Sequence, residues 1–304
     1  MNTRTTRRAC ASLVAFAALA AGATACDSSG SGKASQSSGA KQPEAVSTAA
    51  LKALREAVSK TEKAHSVKVD GQTTIGTTVA ISQQGALEWS GGGTTGQLAM
   101  TQGGATGEQL KKLGSSGTSQ TRFLANAMYV KMAGSFIKAM GGKHWLKYDY
   151  DAYAKLGGAS TAFVSDQLQN SNPAQSVQMI IASGDVKKAG SQTVRGVRAT
   201  HYSGTVDVAA LAAKSDNGLS AKELKALKKQ LEAAGIKTEQ IDLWVNGDNL
   251  LVKKTEQGST ANGTMRSTTY YSGYGTKVSV TAPPAADTLD VTKLLAAQSA
   301  APSA

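Results

Sequence analysis

The 304-residue sequence predicts an α+β fold built around one large antiparallel sheet. Three observations predict it. Short runs of period-two alternation dominate the chain, glycine-bearing turns separate them, and amphipathic helical stretches interrupt them. Strands, then helices, then strands again, with no second linker between, indicate a single domain over residues 46–296.

Each element has its own signal. Thr48 to Ala64 reads as an amphipathic helix, because Leu51, Leu54 and Val58 recur on one face with Lys52, Arg55, Glu56 and Lys60 between them. Alternation then takes over at Val67 and Val69, Val79 and Ile81, Leu87 and Trp89, and Leu98 and Met100. Ser119 to Met132 is expected as one strand with Leu124, Met128, Val130 and Met132 on one face. A short helical connection over Ser135 to Met140 and a strand from His144 to Tyr150 follow. Pro173 opens a helix that runs to Ser183. Asp185 to Thr193 and Val197 to Val208 form two strands joined at Gly196. Ser220 and Glu223 make a capping box for a helix whose stripe of Leu224, Leu227 and Leu231 ends at Gly235. Ile241, Leu243 and Val245 alternate into a hairpin turn at Asn246 to Asn249, and Leu250 and Val252 start the return strand. Met265 to Tyr274 and Thr276 to Thr281 complete the sheet before Pro283 and Pro284 stop it, and residues 297–304 read as a frayed tail.

The first 25 residues have the anatomy of an export signal. Arg4, Arg7 and Arg8 precede an uncharged apolar run from Ala9 to Ala23, and Ala23, Thr24 and Ala25 stand before Cys26. The run is shorter than the ~20 residues of a comfortable bilayer span. Small residues followed by cysteine resemble a lipobox, in which the Cys26 thiol is diacylated and becomes the new N-terminus. The same residues also form an ordinary A-x-A cleavage site, and Ala23 replaces the usual large aliphatic residue. Cys26 is the one cysteine left after cleavage, so no disulfide or cysteine co-ligand competes for it. Residues 26–45 are Ser/Gly-rich, a flexible tether that reaches roughly 25 Å as a random coil. Arg7 and Arg8 leave both the general and the twin-arginine export routes open.

Charge and chemistry narrow the function. The formal charge of +12 falls to +9 when the three leader arginines are removed. That basic surface suits anionic head groups or cell-wall polymers, and no nucleic-acid motif is present. His65, His144 and His201 stand at no metal-ligand spacing, and no metal or other cofactor is expected. There is no G-x-S-x-G elbow, and Gly30 to Lys33 lacks the spacing of a phosphate loop. Asp149 and Asp151 read as a turn or helix cap rather than a carboxylate pair. The sequence thus assigns no catalytic residue, and the chain is expected not to be an enzyme. On the strand faces, Met100, Met128 and Met132 with Leu98, Leu124 and Trp89 form either an ordinary sheet core or the lining of an adaptable apolar cavity. The lysines at 222, 225, 228, 229 and 237 make either a solvated helix face or a surface for anionic lipid.

Several segments, in order, resemble the actinobacterial LppX/LprA/LprF/LprG lipoprotein family. Gly142, Lys143 and Trp145 fall as in its Gly-Lys-x-Trp strand, and Gly190 to Tyr202 is similar to its second-half hairpin. Ile241 to Val245, and Val280 to Pro284 followed by Asp287, match as well. The resemblance implies a strongly curved antiparallel sheet, a half-barrel, with helices packed on its concave side. It also implies an exported lipoprotein, carrying diacylglycerol and acyl chains such as palmitate on Cys26, held at the outer face of the cytoplasmic membrane. Acylated lipid or lipoglycan is the implied cargo, with an envelope transporter or enzyme as a further partner. Face alternation then nominates the lining: Val79, Ile81, Leu87, Trp89, Leu98, Met100, Leu124, Met128, Val130, Met132, Ile241, Leu243 and Val245. The competing reading is a scaffolding lipoprotein with a filled core that recruits an envelope protein.

Overall fold

Helix α1, Thr48–Ala64, forms over the expected residues and buries Ala50, Leu54, Ala57 and Thr61. His65, at φ 60°, turns the chain out of it into the first strand. The structure is a computed structural model describing residues 48–89, 93–152, 173–183, 185–211, 225, 228, 231–232, 235–260 and 262–293, all within the compact unit Gly39–Ala304. Cys26, the leader, the tether and most of the expected helix after Ser220 lie outside these residues. Of that helix, Lys225, Lys228, Leu231 and Glu232 are described, and they are helical.

Twelve strands make one curved, unclosed sheet. They are β1 Ser66–Ile75, β2 Val79–Glu88, β3 Thr95–Gly103, β4 Thr118–Leu124, β5 Ala127–Lys131, β6 Trp145–Asp149, β7 Val186–Val194, β8 Val197–Asp207, β9 Thr238–Asn246, β10 Leu251–Thr260, β11 Gly263–Ser272 and β12 Thr288–Asp290. Helices α2 (Gly104–Lys112), α3 (Ser135–Ala139), α4 (Pro173–Ser183) and α5 (Val208–Leu211) connect them. The spatial order is β12-β6-β5-β4-β3-β2-β1-β11-β10-β9-β8-β7. Two antiparallel meanders therefore meet in the middle, where β1 pairs with β11. The edge at β6 is extended by the short parallel strand β12.

Two sequence expectations are corrected. Ser119 to Met132 is a hairpin and not one strand, because the chain turns at Ala125 and Asn126 and pairs Leu124 with Ala127. Residues Thr276 to Thr281 are not a strand. They run as an extended strap tied down at both ends: Ser66 Oγ donates to the Thr276 carbonyl (2.6 Å) and Arg122 Nη1 to that of Thr281 (3.0 Å). Helix α2 and strand β12 carried no sequence signal strong enough to be expected.

The main core lies on the concave side. Leu54 of α1 and Val177, Ile180 and Ile181 of α4 meet Val67, Leu87, Tyr202, Val206, Ile241, Leu243 and Tyr271 of the sheet. Helix α4 packs on β7, β8 and β9, and α1 packs on α4. A second, smaller cluster of Val194, Ala199, Trp244 and Val252 sits on the convex side.

Candidate functional site

The concave face changes character along the sheet. Over β7–β9 it is closed: Ile241, Leu243 and Val206 are 0% exposed where α4 packs. Over β2–β5 the same face buries Leu87, Leu98, Phe123 and Val130 and keeps Ile81, Met100 and Met128 half-buried. Register places these side chains in one trough. Gln83 stands opposite Met100, Leu98 opposite Thr121, and Phe123 opposite Met128. The Thr121 hydroxyl donates to Met100 Sδ (3.4 Å), which leaves the trough floor without a bare polar group at that point.

A polar row crosses the trough at the centre of the sheet. Gln83 of β2 is opposite Gly71 of β1, Gly71 is opposite Thr269 of β11, and Thr269 is opposite Lys254 of β10. Gly71 gives room there: a Cβ would meet Gln83 Nε2 at 3.0 Å and Thr269 Oγ1 at 3.2 Å, so the bare backbone lets the two side chains lie close above it. One step along, Thr73 Oγ1 donates to Ser267 Oγ (3.1 Å).

The row ends in an ion cluster under α4. Lys254 Nζ donates to Glu256 Oε1 (2.7 Å) and to Ser176 Oγ (2.8 Å), and Ser176 Oγ donates to Glu256 Oε1 (3.2 Å). Burial works against the Lys254 ammonium, but the Glu256 carboxylate holds its pKa above the ordinary lysine value. Glu239 on β9 is 4% exposed, and its Oε2 has no hydrogen-bond partner among the described residues. Burial, reinforced by Glu256, pushes its carboxyl up to about 8.

A β-bulge aims these groups inward. The β10–β9 register shifts between Leu251 and Lys253. Leu251 therefore belongs to the concave core, Val252 to the convex cluster, and Lys253 lies over Trp244 at 4.0 Å on that same convex side. The extra residue reverses the alternation, so Lys254 and Glu256 face the trough.

Most of the nominated lining faces this concave side. Leu87, Leu98, Ile241, Leu243 and Val245 are in the main core, with Trp89, Met100 and Met128 packed against it. Trp89 Nε1 also donates to the Glu62 carbonyl (3.2 Å) and ties β2 to α1. Val130 is buried, and Val79 and Ile81 are half-buried. Leu124 is a correction. The hairpin turn puts it with Ala127, Tyr129 and Trp145 on the other face. Met132 joins a separate group with Met140, Leu146 and Val291. Period-two reading missed the polar row, because the bulge hides the phase of Lys254 and Glu256; Thr269 and Gln83 carry no signal without the register.

Outside the trough, the polar pairs have structural work. Ala152 N donates to Asp149 Oδ1 (3.1 Å), the expected cap. Asp287 accepts from the His144 backbone N–H (2.9 Å), its other contact being His144 Nδ1 at 2.7 Å, and so fastens the strap to β6. On the convex face His201 stacks on Trp244 with centroids 4.4 Å apart, and its Nε2 lies 2.8 Å from Asp242 Oδ1. No three His, Cys, Asp or Glu side chains are grouped to hold a metal ion among the described residues, and no described helix is long and apolar enough to cross a membrane.

A curved, unclosed sheet with helices on its concave side is the half-barrel that the strand motifs imply. The chain belongs to one family with two Streptomyces proteins, one of which carries a lipoprotein name. It is 46% identical over 253 residues to an uncharacterised 31.2 kDa Streptomyces griseus protein encoded between rplA and rplJ, covering 83% of this chain and 82% of that one. It is 34% identical over 313 residues to a Streptomyces coelicolor protein provisionally named a lipoprotein, covering 98% and 99%. Among solved structures it is similar to LppX of Mycobacterium tuberculosis (13% identity, TM-score 0.46, 77% of this chain and 100% of that one). LprF of Mycobacterium bovis gives 13% identity and a TM-score of 0.46 over 79% and 99%. No family profile matches the chain.

Proposed function

We propose that this protein is an exported lipoprotein, anchored through Cys26 at the outer face of the cytoplasmic membrane, that binds acylated lipid or lipoglycan on its concave face and carries or presents it in the envelope. One observation supports the reading: on the inward face of β2–β5, Ile81, Met100 and Met128 stay half-buried beside the buried Leu87, Leu98 and Phe123, whereas α4 packs on β7–β9. An acyl chain gains about 0.8 kcal/mol for each CH₂ it buries, so such a surface suffices without any catalytic group. Methionine side chains adapt to chains of irregular path. The tether of residues 26–45 keeps the trough within about one linker length of the bilayer that supplies the cargo.

The alternative, a scaffold with a filled core, accounts for the buried Leu87, Leu98 and Phe123 and gives the half-buried Ile81, Met100 and Met128 no role. The full-length protein, expressed with its own leader and extracted in mild detergent, separates the two. Lipid retained at near one per chain in native mass spectrometry, with a thermal shift on adding it back, supports the carrier. A protein that emerges empty and shows no lipid-dependent shift is the scaffold. Intact mass with and without Cys26→Ala tests the anchor: the acyl increment disappears in the variant.

A further inference from the structure

The convex side of the sheet carries a groove that neither the core nor the concave trough uses. Val67, Leu87 and Leu98 point into the main core, so alternation turns Ser66, Lys68, Ala86 and Gln97 outward. Arg122 faces outward too, because its neighbour Phe123 is in that core. The strap, held to Ser66 at one end and to Arg122 at the other, therefore crosses the convex face from β1 to β4. Between strap and strands lies a groove of about 560 Å³, within the span of about 300–1,000 Å³ usual for small-molecule sites. Its floor is low because the register sets Ala86 between Lys68 and Gln97, a methyl group between two long side chains.

The lining decides what the groove can hold. Val69 turns its side chain into the core, which leaves Val278 as the one large apolar side chain on the groove among the described residues. An acyl chain would gain little there. Three cations and one carboxylate border it instead. Arg195 is committed: its Nη2 lies 2.7 Å from Asp70 Oδ2, and its guanidinium sits 3.6 Å from the Tyr270 ring centroid. Lys68 and Lys277 are exposed and enter no ion pair among the described residues. The Lys68 stem is laid against Gly273, where a Cβ would come within 3.3 Å of its Cδ. No described residue accepts from the backbone N–H groups of Lys277, Val278 or Ser279. Two unpaired ammonium groups beside a carboxylate already neutralised suit a phosphate, and the surrounding carboxamides suit hydroxyls. We propose that this groove binds a phosphorylated polyol, its phosphate on Lys68 and Lys277 and its hydroxyls on Gln84 and Gln97. Such a group reaches an envelope protein either as a lipid head group or free of the membrane, and the chemistry of the groove is the same for both. The site is separate from the concave-face reading and does not depend on it.

The test titrates the full-length lipoprotein, held in phosphatidylcholine nanodiscs, with sn-glycerol 3-phosphate in a calorimeter. Saturable one-to-one binding is expected, tighter than that of inorganic phosphate by about threefold or more, the worth of about one added hydrogen bond. Lys68→Gln with Lys277→Gln is expected to weaken it by about tenfold or more, while Lys68→Arg with Lys277→Arg changes it by less than about threefold. Both lysines are exposed, so the variants keep the fold, which an unchanged thermal unfolding curve checks. Nanodiscs containing phosphatidylglycerol, set against discs matched in charge with oleic acid, separate the two sources. Binding lost only with phosphatidylglycerol identifies the head group as the occupant, and binding retained in both identifies a ligand free of the membrane. Absence of saturable binding at millimolar concentration, affinity no better than for inorganic phosphate, or binding that survives loss of both lysines overturns the inference. None of these results alters the lipid-retention readout of the carrier reading.

Discussion

The two halves of the sheet use the same kind of strand for different ends. In β8 and β9, where α4 packs, the inward Ile241, Leu243 and Val206 have no exposed surface. In β2–β5 the inward face is equally apolar, but beside the buried Leu87, Leu98 and Phe123 it keeps Ile81, Met100 and Met128 half-buried. Apolar alternation therefore does not distinguish a core from a binding face. Among the described elements the two regions receive different helices, α4 on β7–β9 and the shorter α2 on β2 and β3, and that depends on where the connections go. The chain enters the sheet at its centre with β1, and α4 delivers it to the far edge at β7.

The sharpest way to break the comparison is to truncate one residue from each half. Leu243→Ala in the closed half is expected to cost about 2–5 kcal/mol of unfolding free energy in urea titration, because its neighbours cannot collapse into the space. Loss of less than about 1 kcal/mol there would show that the closed half is not the stabilising one. The closed half should also respond to pH, through Glu239 on β9. Between about 4.5 and 8 the folded state keeps a proton on Glu239 that the unfolded chain has released. Stability from this group is thus complete below 4.5, falls as pH rises through the window, and is level above 8. Glu239→Gln should flatten that slope, with a difference of about 2–4 kcal/mol between the ends of the window by thermal or chemical unfolding. An unchanged slope would mean that another group sets it.

Smaller effects sharpen the contrast. Met100→Ala and Met128→Ala should each cost about 1 kcal/mol or less in stability, since only part of each side chain is removed from water, while lowering lipid retention several-fold. A large stability loss with unchanged retention would make them core residues after all. Smallest is the convex ion pair of Arg195 with Asp70 (2.7 Å), whose side chains are 55% and 45% exposed. Asp70→Asn should change stability by less than about 1 kcal/mol, and less still in high salt.

Much of this was readable in the sequence. Helix α1, helix α4, the β7–β8 and β9–β10 hairpins and the inward residues of β9 all follow from periodicity and turn chemistry. Leu124 fell on the wrong face because a two-residue turn at Ala125 and Asn126, without glycine or proline, did not announce itself inside an apolar run. Lys254 and Glu256 were hidden by the one-residue bulge at Val252, which inverts every later side chain of β10. The polar row needs the register of four strands from both ends of the chain, and nothing local encodes it.

The seam between β1 and β11 also has a consequence in time. Thr73 and Ser267, partners across it, are 194 residues apart in the chain. A chain made from its N-terminus presents β1 complete long before β11 exists. Until then the middle of the finished sheet is a raw strand edge waiting for the last third of the polypeptide. Contacts of such long range close slowly, and an open edge invites pairing with other chains. The protein is therefore at its most aggregation-prone just before β11 arrives, and shielding of that edge would set its yield.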